Sequence, residues 1–151
     1  MNVARMLLLI VVVGATSQLG AAEELAKRDQ LRAAVQGICP VSGQKLGAHG
    51  QPLKAKIGQE EVFLCCQGCR QGKVNPQHWA TIHANFARSQ AKCPLMKKPL
   101  PENPKWTIGS GQILYICCPP CSKKIEADPS KYLKQVDEYY TASLRNWQAV
   151  R

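Results

Sequence analysis

The sequence predicts an α+β protein made of two small repeats, each a β-hairpin plus a short helix, with helices flanking the pair. Three observations carry this reading. Residues 62–69, VFLCCQGC, return as residues 114–121, LYICCPPC, with every cysteine in register. A Cys-Pro pair, Cys39-Pro40 or Cys93-Pro94, precedes each cluster, with 25 and 23 residues intervening. An amide or acid, a proline and an aromatic follow each cluster: Asn75-Pro76-Gln77-His78-Trp79 and Asp128-Pro129-Ser130-Lys131-Tyr132. The repeats therefore span 38–84 and 92–138, and the eight cysteines divide four and four.

In chain order, residues 1–22 have the layout of a secretory signal peptide. Arg5 is the only charge, the apolar run 6–14 is too short to span a bilayer, and small residues end at Gly20-Ala21-Ala22, after which cleavage is expected. An uncleaved N-terminal anchor is the alternative. The expectation is an exported protein, periplasmic or secreted, with no stable membrane insertion after cleavage. The remaining 129 residues carry 19 Lys and Arg against 10 Asp and Glu, a net of +9. No basic run exceeds Lys97-Lys98 or Lys123-Lys124, so the charge reads as a solvated surface and no nucleic-acid partner is expected. No long apolar stretch follows residue 22 to build one large core, and small modules of this kind make up missing burial with metals or disulfides.

Residues 23–37 read as an N-terminal helical segment. In each repeat the Cys-Pro turn leads into a Gly- and Pro-rich loop. Two β-rich runs around a glycine, 57–64 and 108–116, then form a hairpin that delivers its end to the cysteine cluster. A short helix should follow each cluster, with Asn75-Pro76 and Asp128-Pro129 opening further helical segments. Residues 84–92 connect the modules. The helix from Pro129 to about Trp147 should be the longest, because Tyr132, Val136, Tyr139 or Tyr140, and Leu144 recur at helical spacing, with 139–151 as a C-terminal extension.

A cysteine on a tight turn plus a cluster at a strand–helix junction brings soft ligands from two distant points onto one ion. Thiolates select zinc, copper(I) or iron–sulfur chemistry, and four in a tetrahedron suit zinc. The core set in the first repeat is Cys39, Cys65 and Cys69, with Cys66 as a fourth ligand or a packed bystander. In the second it is Cys93, Cys117 and Cys121, with Cys118 in the open role. Three thiolates would suit copper(I) better than structural zinc. Two rival readings stand beside metal binding: a disulfide framework, which an exported chain with an even cysteine count invites, and thiol–disulfide exchange at Cys118-Pro119-Pro120-Cys121, although no βαβ pattern surrounds that CxxC.

Met96 stands three residues after Cys93 and offers a soft thioether, or else fills a core gap; its counterpart is Ser42. His49, His78 and His83 all lie in the first repeat and read as surface histidines. Phe63 and Tyr115, like Trp79 and Tyr132, occupy equivalent places and read as core packing.

These residues resemble the YHS domain of the TRASH-like, heavy-metal-associated group. The resemblance rests on Cys39-Pro40-Val41-Ser42-Gly43, Gly58, the cluster through Cys69 and Asn75-Pro76-Gln77-His78-Trp79, and on the matching stretch from Cys93 to Leu133. It implies small treble-clef modules that bind a metal, with Cys39, Cys65 and Cys69, and Cys93, Cys117 and Cys121, as ligands. It further implies heavy-metal handling as a sensor, carrier or accessory but fixes no reaction; the expectation is a non-catalytic protein whose partners are a metal ion and a metal-handling protein. Relatives with a zinc site carry a second cysteine three residues after the first, where this chain has Ser42 and Met96, so Cys66 and Cys118 are the candidates to replace it.

Overall fold

The computed structural model describes residues 7–149 and is α+β: four α-helices and two antiparallel two-stranded hairpins. The first six residues of the expected leader lie outside the described residues. The elements run α1 (Leu7–Gln36), β1 (Leu53–Ile57), β2 (Glu60–Leu64), a 3-10 turn (Gln67–Gln71), α2 (Pro76–Gln90), β3 (Lys105–Gly109), β4 (Gln112–Ile116), α3 (Pro120–Ala127) and α4 (Pro129–Ala149). Two units are distinguished, Met1–Gln30 and Leu31–Arg151. Among the described residues no helix is long and apolar enough to cross a membrane.

The helix from Pro129 is not the longest, as its spacing had implied: α4 has 21 residues and α1 has 30. Nothing in α1 stops it. Gly14 and Gly20 only weaken a helix rich in alanine and leucine, and the first true terminator is Gly37 at φ +78°. The caps inferred from sequence are present. Asn75 accepts hydrogen bonds from the Gln77 and His78 amides at the start of α2, and Asp128 accepts one from the Lys131 amide at the start of α4.

The duplication extends into the backbone. Each preceding helix closes with the same C-terminal bond, Gly37 to Ala33 or Ala91 to Ala87. The amide of Cys39 then donates to Gln44 and that of Gly43 returns to Cys39, as Cys93 does to Lys98 and Lys97 to Cys93. A bridge pairs Ile38 with Lys45, and Lys92 with Pro99. Each hairpin has a two-residue turn, Gly58-Gln59 or Ser110-Gly111, in full register. After the clusters the copies diverge. Gly68 and Gly72 permit only the 3-10 turn, and a side chain at Gly72 would strike Val41; Pro119-Pro120 instead launches α3.

The two modules are unequally buried. One cluster gathers Ile113–Ile116 of β4 with Ile82 and Phe86 of α2, Ile125 of α3, and Leu133, Val136 and Tyr140 of α4. Sequence inspection gave no sign of so large a core because no single stretch supplies it. Among the described residues the first module's own buried cluster is Cys39, Leu64, Cys65 and Cys69, with Val41, Leu46, Leu53 and Ala55 half-buried against it. The hairpins touch where the Glu61 amide donates to the Gly111 carbonyl at 2.6 Å.

Three left-handed positions recur, and the copies fill them differently. The first has Gly37, Gly43 and Gly58 at φ of +78°, +71° and +62°; the second has Ala91, Lys97 and Ser110 at +55°, +57° and +50°. A Cβ in this region costs about 1–2 kcal/mol. Ala91→Gly, Lys97→Gly and Ser110→Gly are each expected to stabilise the protein by about 0.5–1 kcal/mol, after allowing for the entropy of glycine in the unfolded chain. Urea unfolding midpoints at constant slope measure this; unchanged midpoints would refute the strain.

Candidate metal centres

Each cysteine group is assembled by a buried glutamine. The Gln36 side chain, fully buried at the end of α1, donates from Nε2 to the Ile38 carbonyl at 2.8 Å and the Phe63 carbonyl at 2.7 Å. Its Oε1 accepts from the Phe63 amide at 2.8 Å. Gln90, at the end of α2, repeats the pattern with the Lys92 carbonyl at 2.9 Å and the Tyr115 carbonyl and amide at 2.7 and 2.9 Å. Ile38 and Lys92 immediately precede the Cys-Pro turn, and Phe63 and Tyr115 lie two residues before the cluster. One amide thus ties together both segments that supply sulfur.

Cys39, Cys65 and Cys69 place their sulfurs within 4.8 Å of one another, and Cys93, Cys117 and Cys121 do the same. Zinc–sulfur bonds of about 2.3 Å separate the sulfurs of a tetrahedron by about 3.8 Å. In the first module Cys65 and Cys69 are 3.6 Å apart, and Cys66 adds distances of 3.9 and 3.7 Å to them. In the second, Cys93 and Cys121 are 3.9 Å apart, Cys117 and Cys118 3.9 Å, and Cys118 and Cys121 2.8 Å. No disulfide joins any of the eight. Both groups have the donor type and span to hold one soft ion. Cys39, Cys65, Cys69, Cys93 and Cys121 are buried, Cys117 and Cys118 are half-buried, and Cys66 is exposed.

The turns prepare thiolates. Burial pushes Cys39 up, but the amides of Ser42, Cys65 and Val41, together with the Ser42 hydroxyl, outweigh it and bring the thiol down to about 6. Cys93 is likewise lowered against its burial by the amides of Met96, Cys117 and Leu95. Burial and the neighbouring thiols push Cys69 up to about 12, and raise Cys117 and Cys121. Cys66 is lowered by the amide and thiol of Cys69, and Cys118 by the thiol of Cys121.

Ser42 sits with its hydroxyl 3.3 Å from the Cys65 sulfur, while its counterpart Met96 is 47 % exposed. His49 is a loop histidine bonded to Gln44. His83 is not the surface residue its sequence suggested. Its Nδ1 lies 2.8 Å from the Tyr115 hydroxyl, its Nε2 3.3 Å from Glu60, and its ring 5.3 and 5.0 Å from those of Trp79 and Trp106. These rings line a cleft of about 590 Å³ beside α2, so Trp79 does more than fill a core.

Sequence reading missed Gln36 and Gln90, although both stand in a Gln-x-x-Cys spacing. Gln36→Leu is expected to cost about 3 kcal/mol, because it strands buried backbone groups, and to weaken metal binding in the first module by about 10–100-fold. Gln36→Glu tests the geometry separately, since it keeps one acceptor and loses the donors. Competition titration against a chromophoric chelator reads the affinity, and unchanged affinity in both variants would refute the positioning role.

Comparison with protein-family models, curated proteins and solved structures gave no match to this chain.

Proposed function

We propose that this is an exported, non-catalytic protein that binds one soft metal ion, copper(I) or zinc, in each of its two modules and serves in heavy-metal handling. The observation that carries the reading is the duplicated convergence of three cysteines, distant in sequence, to within 4.8 Å. Its chemistry is ligation. Cys39 and Cys93 arrive on turns whose amides favour thiolate, and the cluster cysteines close around the ion, with Cys66 beside Cys69 and Cys118 beside Cys121, outside the three-cysteine groups, as candidate fourth ligands. Two closed four-thiolate zinc sites would add about −2 each and offset part of the basic excess. The resemblance to YHS modules and the leader-like N-terminus support heavy-metal handling outside the cytoplasm, with a metal-handling protein as partner.

Mass spectrometry of full-length protein isolated anaerobically without chelator is expected to find about one metal per module. Cys39→Ser with Cys69→Ser should remove one equivalent, and Cys93→Ser with Cys121→Ser the other. Metal-free protein with most cysteines paired would overturn the reading in favour of disulfides.

Acidity gives a second check. Because thiolates bind the metal, affinity falls with pH throughout. Cys39 adds nothing to that fall above about 6, where it is already ionised, and below it adds about a tenfold loss per pH unit. Affinity of the first module measured from pH 8 to 5 should therefore steepen near 6; a straight line through that region would refute a preformed Cys39 thiolate.

The 2.8 Å approach of Cys118 to Cys121 favours one further expectation. Once the metal is stripped in air, the first disulfide should join this pair, as peptide mapping of the oxidised protein can establish.

A further inference from the structure

The two sulfur groups are built alike but housed differently. In the first module the fourth thiol, Cys66, is exposed, and it sits 3.9 and 3.7 Å from Cys65 and Cys69. It opens a single 3-10 turn, Gln67–Gln71, that ends at Gly72. The buried cluster behind it is Leu64 and the three cysteines themselves, with Val41, Leu46, Leu53 and Ala55 half-buried against it. In the second module the corresponding Cys118 is half-buried and precedes an eight-residue helix, whose Ile125 is completely buried in the larger core. Moving Cys66 disturbs one turn; moving Cys118 disturbs α3 and what packs on it.

The first site also has an approach. A cleft of about 310 Å³ opens against Cys69, walled by Val41, Leu64 and Gly72 and bordered by Lys56 and Arg70. Gly72 keeps that wall low, because a Cβ there would meet Val41.

We infer that the first module is an exchange site, which passes its metal through Cys66 to or from a thiolate on a negatively charged donor or acceptor, while the second module retains its ion. This rests on the metal-binding reading above. In the first exchange step the incoming thiolate sulfur bonds to the metal as the metal–Cys66 bond breaks and Cys66 leaves as a thiolate; the bonds to Cys39, Cys65 and Cys69 are then exchanged in turn, each for a sulfur of the acceptor. The metal keeps its oxidation state, so no oxidant or reductant enters.

The test uses the full chain loaded with cadmium-113, a soft ion whose resonance is assigned to each module through coupling to the cysteine β-protons. Challenged with dimercaptosuccinate, the first-module resonance should disappear at least about tenfold faster than the second. Cys66→Ser removes the bond that the incoming sulfur must displace, so it should quicken that loss by about tenfold while leaving the second-module rate within about twofold. Lys56→Glu combined with Arg70→Glu should slow removal by dimercaptosuccinate but not by uncharged dithiothreitol, which separates charge recognition from thiol exchange. Equal loss from both modules, or a Cys66→Ser protein that exchanges no faster than the parent, would overturn the inference while leaving metal binding intact. Absence of both resonances would overturn metal binding itself.

Discussion

Everything about the sulfur groups depends on one buried side-chain amide per module. A metal site made from a turn and a distant strand end needs those two segments held in fixed relation before any ion arrives, and two short strands supply little rigidity of their own. Gln36 and Gln90 meet the need by acting as an extra rung on the hairpin, pairing with both the amide and the carbonyl of Phe63 or Tyr115 while reaching back to the residue before the cysteine turn. Burial gives these bonds their weight, since an unpaired amide in that position would be costly. The helix ends come with the glutamines, which explains why a helix precedes each module.

Duplicated architecture has not produced equal modules. The second is set among α2, α3 and α4 and shares a wide apolar core, and that support lets it hold Ala91, Lys97 and Ser110 in left-handed conformations. The first uses glycine at those points, and cysteine makes up most of its cluster. In such a module the candidate ligands and the core are largely the same atoms, so metal binding, on the proposed function, would be coupled to folding more tightly there than in its neighbour.

Local signals explain what could be read from the chain. The paired CC-x-x-C clusters, the glycine turns of the hairpins and the Asn75 and Asp128 caps each announce themselves within a few residues and stand where expected, although β1 and β3 begin at Leu53 and Lys105, ahead of the runs read as strand. The three core cysteines of each group followed from spacing alone. The length of α1 did not, because the apolar and alanine-rich stretch that suggests a leader also favours helix and contains no stop. Gln36 and Gln90 went unnoticed because glutamine is not a metal ligand, and its value here comes from burial, which no spacing reveals. His83 was misjudged for a similar reason: Trp106 and Tyr115 reach it from another module, and Glu60 from the preceding hairpin.

The helix α2 belongs to both modules at once, opening at Asn75-Pro76 behind the first cluster and ending in the Gln90 that organises the second. It therefore works as a spindle with a set phase. Each residue added or removed between those ends would turn one centre about the other by about 100° and shift it by about 1.5 Å. The angle between the directions in which the two centres face is thus written into the number of residues in one helix, independently of any ligand.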